Sequence, residues 1–556
     1  MIRREDKMRS KEYQSFYEKC TPALIEEQLI GSLKDGFNVC EEICDRWATT
    51  ERVGLFYEGV ERPASRYAYA ELQEKSARFA NFLHSKGIGK GDRVAALLPR
   101  TPDLMIVILG TLRVGAVYQP LFTAFTSGAI AYRLDMANTK LIVTDENNRH
   151  KLDAIKACPT IVIADLMSGQ SATVDSSDLS LTDELARQLS QFEPVRIGAN
   201  QPFLQMFTSG TVGKAKGVAV PVRAILSFYV YMKHAIGLRP DDVYWNVADP
   251  GWAYGLYYAV IGPLLLGNGT HFNENEFTSE STYQMVRKYG ITNLAASPTA
   301  YRMLMANDNE LTESNALGLR VASSAGEPLN PAIISWAKRR LGCLVMDHYG
   351  QTETGMTCCN YNDLEQSSVR IGSMGFSLPG HRVVVLNTQY EEVNKDEFGQ
   401  LAVDVENSPL FFFHGYTWDE KDPFKGRYYL TGDVAVSHGD GSYSFIGRDD
   451  DIITTAGYRV GPTNIESTLL EHEAVAESGV VGKPNASYGA IIKAYVVLKP
   501  GFSSSLELED DLKHRICERL SSHDSPCEIE FINELPKTAS GKIQRFILRH
   551  QARDEV

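Results

Sequence analysis

The chain has 556 residues, of which 43% are hydrophobic and 23% charged, and a formal net charge of -14. That length exceeds what one core supports, so two or more domains are expected in an ordinary folded protein. The acidic excess argues against general nucleic-acid binding and against attraction to anionic membranes, so a polyanionic ligand must be met by local positive charge.

The nine cysteines are scattered without a C-x-x-C pair, and the tightest spacings are Cys40 to Cys44 and Cys358 beside Cys359. This is the pattern of reduced thiols in a cytoplasmic protein, not of a disulfide framework or zinc site. Met1-Ile2-Arg3-Arg4-Glu5-Asp6-Lys7 mixes charges and leads into no apolar run, so no signal peptide is expected. The longest apolar stretch, Gly251 to Gly267, is interrupted by Pro263 and falls short of the ~20 residues of a membrane span. It reads as buried core near a site.

After a polar N-terminal arm, Leu72, Phe79 and Leu83 lie on one face of a helix over Tyr69 to Lys86, which Gly87 ends. Arg93 to Leu98 reads as a buried strand, Thr101-Pro102 as the start of a helix that Gly115 stops, and Ala116 to Tyr118, Leu141 to Thr144 and Ile161 to Ile163 as further strands. The alternation implies a parallel sheet covered by helices. Ser168 to Pro194 is polar and reads as a surface excursion.

An apolar run, Phe203 to Phe207, then enters Phe207-Thr208-Ser209-Gly210-Thr211-Val212-Gly213-Lys214-Ala215-Lys216-Gly217, ahead of a helix-like segment near Val222. Glycines, hydroxyls and lysines in this density suit a loop that holds phosphate against a helix N-terminus, and equally a polar turn. It is not a Walker loop, because Thr208 stands where the first glycine is required and Ala215 follows Lys214. Val243 to Val247, Leu294 to Ala296 and Arg320 to Ser323 continue the strands, and a helix from Asn330-Pro331 to Gly342 precedes the strand Leu344 to Met346. Pro379 to Val436 turns β-rich. Asp449, Asp450 and Asp451 form a charged junction or a solvated turn. Beyond it, helix Pro462 to His472, strands Val475 to Val481 and Ala490 to Leu498, helix Leu506 to Leu520 and strand Glu528 to Ile532 make a small α+β unit.

Six stretches follow the glycine loop in fixed order: Asp249-Pro250-Gly251-Trp252, Ala325-Gly326-Glu327-Pro328, Asp347 to Gly355, Tyr429-Leu430-Thr431-Gly432-Asp433, Gly447-Arg448-Asp449-Asp450-Asp451 and Pro536 to Lys542. In this order the chain, from about Tyr69 to Arg549, resembles the acyl-adenylate-forming superfamily, and within it the acetyl-CoA and medium-chain acyl-CoA synthetases. The resemblance implies an α/β fold: a large N-terminal domain, 1–449, of mostly parallel helix-covered sheets with a β-rich subdomain, and a small mobile α+β domain, 450–556, carrying a catalytic lysine. It implies an ATP-dependent, AMP-forming acid–thiol ligase that uses Mg²⁺ and coenzyme A on a small carboxylic acid.

By the same resemblance Thr208, Ser209, Gly210, Thr211, Gly213, Lys214 and Lys216 clamp the triphosphate. Glu353 is the metal carboxylate, and Thr352 an α-phosphate contact. Gly326, Glu327, Pro328, Asp347, His348, Tyr349, Gly350 and Gln351 wall the adenine, Asp433 binds the ribose hydroxyls and Arg448 the nucleotide. Lys542 bridges the carboxylate and α-phosphate while the adenylate forms. The small domain turns about Asp450 and presents Gly457 and Arg459 to CoA. Trp252, Ala253, Tyr254, Ala325 and Gly350 line the acyl pocket. Acetate enzymes carry a tryptophan at position 350, so Gly350 implies acids larger than acetate. Val212 and Ala215 depart from the family's usual threonine and proline, and Ala490 from a frequent glutamate. Lys542 lies in a context resembling that acetylated in acetyl-CoA synthetases, which implies regulation by a lysine acetyltransferase and deacetylase. Alternatives are an adenylating enzyme serving a carrier protein in trans, an aryl-CoA ligase, or a nucleotide sensor without turnover.

Overall fold

Seven strands form the first sheet in the spatial order Leu179–Ser180, Thr160–Ile163, Leu141–Thr144, Arg93–Leu97, Val117–Pro120, Pro202–Thr208 and Lys216–Pro221. All pairs are parallel except the last. The inner strands are buried apolar runs without alternation, as a sheet covered on both faces demands. One cover, Pro102–Arg113, is buried along its entire length, with Pro102 in its first turn and Gly115 beyond its end at φ 76°. The computed structural model describes residues 11–60, 62–166, 175–208, 215–307, 317–362, 369–418, 422–455, 458–485, 488–521, 523–537 and 542–555.

A second sheet runs Tyr244–Asn246, Asn293–Ala296, Val321–Ala325 and Val345–Gln351 in parallel, then adds the antiparallel strands Gly355–Cys359 and Phe376–Ser377. The β-rich subdomain is a five-stranded sheet of Val383–Leu386, Phe398–Asp404, Phe424–Lys425, Tyr428–Ser437 and Tyr443–Arg448. The C-terminal unit has a three-stranded sheet, Val475–Asn485, Gly489–Leu498 and Glu528–Phe531, with its own apolar core around Ile465, Val480, Val496, Leu512 and Ile516. Among the described residues, no helix is long and apolar enough to cross a membrane.

Two expectations are corrected, and two elements go beyond those the sequence offered. Directly after the glycine loop the chain forms the strand Lys216–Pro221, antiparallel to Pro202–Thr208, and a helix starts only at Ala224. The two strands that flank the glycine loop therefore pair with each other, and among the described residues the segment that directly follows the loop is a strand, not a helix. The N-terminal arm is structured: Val53–Glu58 pairs with Ser65–Ala68 and with the distant Thr270–Asn273. Part of the supposed surface excursion is tied in, since Asp165 accepts hydrogen bonds from the Ser180 hydroxyl (2.6 Å) and the Thr182 amide (2.7 Å). Finally, the chain continues past its last expected strand into a helix, Arg545–Asp554.

The aspartate run is a 3₁₀ turn in which each carboxylate meets different arginines. Asp449 pairs with Arg459 at 3.1 Å, Asp450 with Arg448 at 3.5 Å, and Asp451 with Arg549 and Arg545 of the last helix.

Candidate active site

The antiparallel pair Val345–Gln351 and Gly355–Cys359 carries the densest set of candidates, and its turn holds Thr352 and Glu353. The Glu353 carboxylate is buried and accepts a hydrogen bond from the Tyr416 hydroxyl at 2.9 Å. Burial raises its pKa, opposed by a backbone amide, Tyr416 and the Arg448 charge. The Tyr416 ring also lies under the Lys216 ammonium, 4.3 Å from the centroid. Lys216 pairs across the hairpin with Thr208, so both bases of the glycine loop stand beside Glu353's partner. Ser209, Gly210, Thr211, Gly213 and Lys214 lie outside the described residues.

The segment before Trp418 runs along this hairpin as an extra edge. The Thr417 amide donates to Gly217 O at 2.8 Å, and the Trp418 ring stacks 6.1 Å from Phe207. Position 217 must be glycine here, since a Cβ would approach the Trp418 ring to 2.7 Å.

Asp433, 4% exposed, lies against the strand Val345–Gln351. Its Oδ1 accepts from Arg448 Nη1 (3.0 Å), and its Oδ2 from the Tyr349 hydroxyl and from Gln351 Nε2 (3.0 Å). Tyr429 donates to Gln351 Oε1 at 3.0 Å and so fixes which way that amide faces. Desolvation pushes the Asp433 pKa up, and Arg448, Tyr349 and Gln351 pull it back. His348 is consumed structurally: Nε2 donates to Asn360 O (3.1 Å) and Nδ1 accepts from the Tyr231 hydroxyl (2.8 Å). Burial drops its pKa to about 4, so the ring is neutral at physiological pH. Burial raises Asp347 well above the carboxylate range.

Gly326, Glu327 and Pro328 leave the C-terminal end of Val321–Ala325, whose Ala325 pairs with His348. Gly326 adopts φ 100°, a left-handed conformation suited to glycine, and open space surrounds its missing Cβ. Glu327 is held by Thr299 (2.9 Å) and Arg302 (3.0 Å). The candidates therefore collect at the carboxyl ends of parallel strands, where open α/β sheets bind ligands.

Among the residues expected to line an acyl pocket, Trp252 packs against Phe122 and Phe125 at centroid distances of 5.4 and 5.3 Å. Ala253 and Tyr254 begin the short helix that follows, and the Tyr254 hydroxyl is buried near Ser323 and Tyr231 without completing a hydrogen bond. Gly350 carries a backbone constraint that its sequence context did not show. It lies at a bulge, where a Cβ would come within 2.3 Å of Gly355 O and 2.6 Å of Met356 Cα. The glycine satisfies a close backbone approach, and the space beside it is filled by the returning strand.

Arg448 reaches Asp433, Asp450 and, at 3.4 Å, Thr431 O. Arg459 pairs with Asp449 and rests on the Phe398 ring, 5.8 Å from its centroid, facing the β-rich subdomain. Gly457 lies outside the described residues. Lys542 is exposed, next to Ile543, which bridges Lys537. Cys40, Cys44 and Asp45 converge elsewhere, but the Asp45 carboxylate is already held at both oxygens by Arg113.

Sequence reasoning missed Tyr416, although Gly415-Tyr416 closes the aromatic run Phe411-Phe412-Phe413. It also missed a cleft of about 420 Å³ at the carboxyl ends of the first sheet, where the strand order reverses beside Arg93–Leu97. Its lining carries the cations Arg62 and Lys151 beside the carboxylates Asp103, Asp145 and Glu274, with Thr123, Asn147 and Asn148 among its walls.

Buried carboxylates at a β-hairpin, Lys216 against the tyrosine that holds one of them and a C-terminal unit with its own core fit a nucleotide-using ligase. The chain belongs to the AMP-binding enzyme family: residues 41–416 match that family and residues 464–542 its C-terminal domain. It is 34% identical over 524 residues to the acetyl-coenzyme A synthetase of Bacillus subtilis (strain 168), covering 92% of this chain and 90% of that one. It is 31% identical to the mitochondrial acyl-coenzyme A synthetase ACSM4 of Homo sapiens, covering 93% and 91%. Among solved structures, the Brucella canis acyl-CoA synthetase superposes with a TM-score of 0.78 at 45% identity, covering 98% of this chain and 99% of that one. ATP-bound MatB from Rhodopseudomonas palustris gives 0.82 at 26%, covering 94% and 99%. The protein is an AMP-forming acid–CoA ligase.

Proposed function

We propose that the enzyme joins a short- to medium-chain carboxylic acid, larger than acetate, to coenzyme A in two half-reactions at one site. In the first, a carboxylate oxygen of the acid attacks the α-phosphorus of ATP and pyrophosphate leaves. In the second, the CoA sulfur attacks the acyl carbonyl and AMP leaves. The observation that carries this reading is the pair of buried carboxylates at the Val345–Cys359 hairpin, Glu353 in its turn and Asp433 held by Tyr349 and Gln351 of its first strand. One stands beside Lys216, and the other is framed by hydroxyl, amide and guanidinium donors.

Glu353 fits a hard divalent cation, because a desolvated carboxylate with one hydrogen-bonded oxygen retains acceptor capacity on the other. Bound Mg²⁺ would offset the charge of the leaving pyrophosphate. Thr352 would contact the α-phosphate, and Lys214 and Lys216 the phosphates that depart. Asp433 would accept from the ribose hydroxyls, with Arg448 beside it. Gly326 to Pro328 and Asp347 to Gln351 would flank the adenine. Lys542 would bring its ammonium to the forming acyl–phosphate bond. The division at 449/450 is the proposed domain boundary. Asp450 would be the hinge about which the C-terminal unit moves, exchanging the Lys542 loop for Gly457 and Arg459.

The size preference rests on Ala325, a small buried residue, and on Gly350. The returning strand leaves no room for a side chain at 350 to close the acyl pocket. Ala253, Tyr254 and Trp252 would supply the remaining walls. The test is a panel of acids from acetate to octanoate with benzoate, read as CoA-dependent AMP release. We expect the highest kcat/KM on an aliphatic acid longer than acetate, with neighbours separated by ~1–3 kcal/mol per methylene or less. An acetate or benzoate maximum would overturn the size reading while leaving the ligase assignment intact.

A further inference from the structure

Two π-turns, Tyr231–Ala235 and Leu256–Ile261, interrupt the buried helices packed behind the site hairpin. Such turns sacrifice α-helical hydrogen-bond geometry and occur mostly as single features at functional sites. Here they pack together, with the Tyr231 and Tyr258 rings 4.4 Å apart, and a Cβ on Gly262 would lie 2.7 Å from Met232 Cγ. Widening a turn brings successive side chains closer in direction than the ~100° that separates them in an α-helix. As a result Tyr257 and Tyr258, adjacent in sequence, reach the same hairpin.

Their hydroxyls grip it on both flanks of the turn. Tyr257 donates to Thr352 O at 3.0 Å, and Tyr258 accepts from the Met356 amide at 3.0 Å. Gly355, at φ 64°, lets the second contact form, since a Cβ there would lie 2.9 Å from the Tyr258 hydroxyl. Phe228 holds the pair from behind, stacked on Tyr257 at 4.5 Å and edge-on to Tyr258 at 5.5 Å. Both tyrosines are fully buried, so each hydroxyl needs a partner, and both partners belong to the segment that bears Thr352 and Glu353.

We propose that the Leu256–Ile261 π-turn is a positioning device for adenylate formation, with Tyr257 and Tyr258 clamping the two ends of the turn that presents Thr352 and Glu353. Neither tyrosine touches the reacting atoms; both act through the turn. The proposal rests on the reading of Glu353 given above.

The test uses full-length Tyr257→Phe and Tyr258→Phe, each lacking one oxygen, and Tyr69→Phe as a control. Tyr69 loses an equally buried hydroxyl, bonded to Asn268 O at 3.0 Å, away from the hairpin. ATP–pyrophosphate exchange is measured across a Mg²⁺ titration, with thioester formation from supplied butyryl-AMP and Tm. Each hairpin variant should lose about three- to tenfold in exchange kcat and need more Mg²⁺ for half-saturation, while the thioester step stays within about twofold of wild type. Tyr69→Phe should lower Tm without changing exchange. Unchanged exchange in the hairpin variants overturns the proposal, as does a parallel fall of both half-reactions in proportion to Tm. If one variant fails to fold, the other carries the same test. Glu353→Gln separates the two levels: full exchange in it refutes the reading of Glu353, whereas lost exchange in it beside unaffected tyrosine variants refutes only the clamp.

Discussion

Asp433→Asn keeps the shape of the side chain and changes what it can accept. The carboxylate receives three donors, Arg448 at 3.0 Å on one oxygen and Tyr349 with Gln351 on the other. An amide offers one acceptor oxygen and a donating NH₂, so either Arg448 or the Tyr349–Gln351 pair must face a donor. Losing a hydrogen bond to a charged group costs ~1.5–3 kcal/mol, but desolvation already raises the pKa of this carboxyl, and removing the charge relieves that cost. We expect a net loss of ~1–2 kcal/mol and a Tm lower by a few degrees. The effect on ATP should be larger, since the ribose hydroxyls lose a charged acceptor, and KM should rise ~10- to 100-fold. The decisive assay compares ATP with 3′-deoxy-ATP in pyrophosphate exchange. Wild type should discriminate strongly against the deoxy nucleotide, and the variant hardly at all. An equal ratio in both proteins would show that Asp433 does not receive the ribose.

Lys542→Ala should cut exchange by ~10²–10³ while leaving thioester formation from supplied acyl-AMP nearly intact. Lys542 is exposed, so stability should change by no more than ~0.5 kcal/mol, and equal loss of both half-reactions would remove its assigned role. Enzymatic acetylation of Lys542 should reproduce this split, and deacetylation reverse it. A peptide map that finds Lys542 unmodified after acetyltransferase treatment that stops exchange would count against that route. His348 has its pKa depressed by burial from 6.5 to about 4, so its stability contribution is present above its unfolded pKa and is lost as pH falls from 6.5 toward 4. Between pH 7.5 and 5.5 wild type should therefore lose on the order of 1 kcal/mol more than His348→Gln in chemical denaturation. Equal losses would mean that the ring is not buried neutral.

Elements with a local signature were legible in the sequence. Pro102 and Gly115 bracket a helix because one fits a first turn and the other adopts φ 76°, and the short apolar runs of the parallel sheets stand out for the same local reason. The spacing of the motifs pointed to an adenylate-forming ligase before any contact was known, and the family match supports that reading. What escaped was pairing across long separations. Nothing within Val53–Glu58 announces that its partner is Thr270–Asn273, and the strand Lys216–Pro221 is defined by Pro202–Thr208 more than by its own pattern.

Chemistry that depends on such pairing was only partly legible. From the sequence Gly350 reads as missing volume, because a glycine shows only what it lacks; in the fold it marks a backbone approach of 2.3 Å that excludes any side chain. Leu256 to Ile261 reads as plain core, because an apolar run does not reveal that its helix widens by one residue or that two of its hydroxyls find carbonyl and amide partners a hundred residues later. The three aspartates read as one charged turn, yet their arginines come from separate elements, so the junction is tied at once to the strand bearing Arg448, to Arg459 and to the last helix. In each case the residue type was visible and its partner was not. The sequence therefore names candidate reacting groups and gives little sign of the residues that hold them in place.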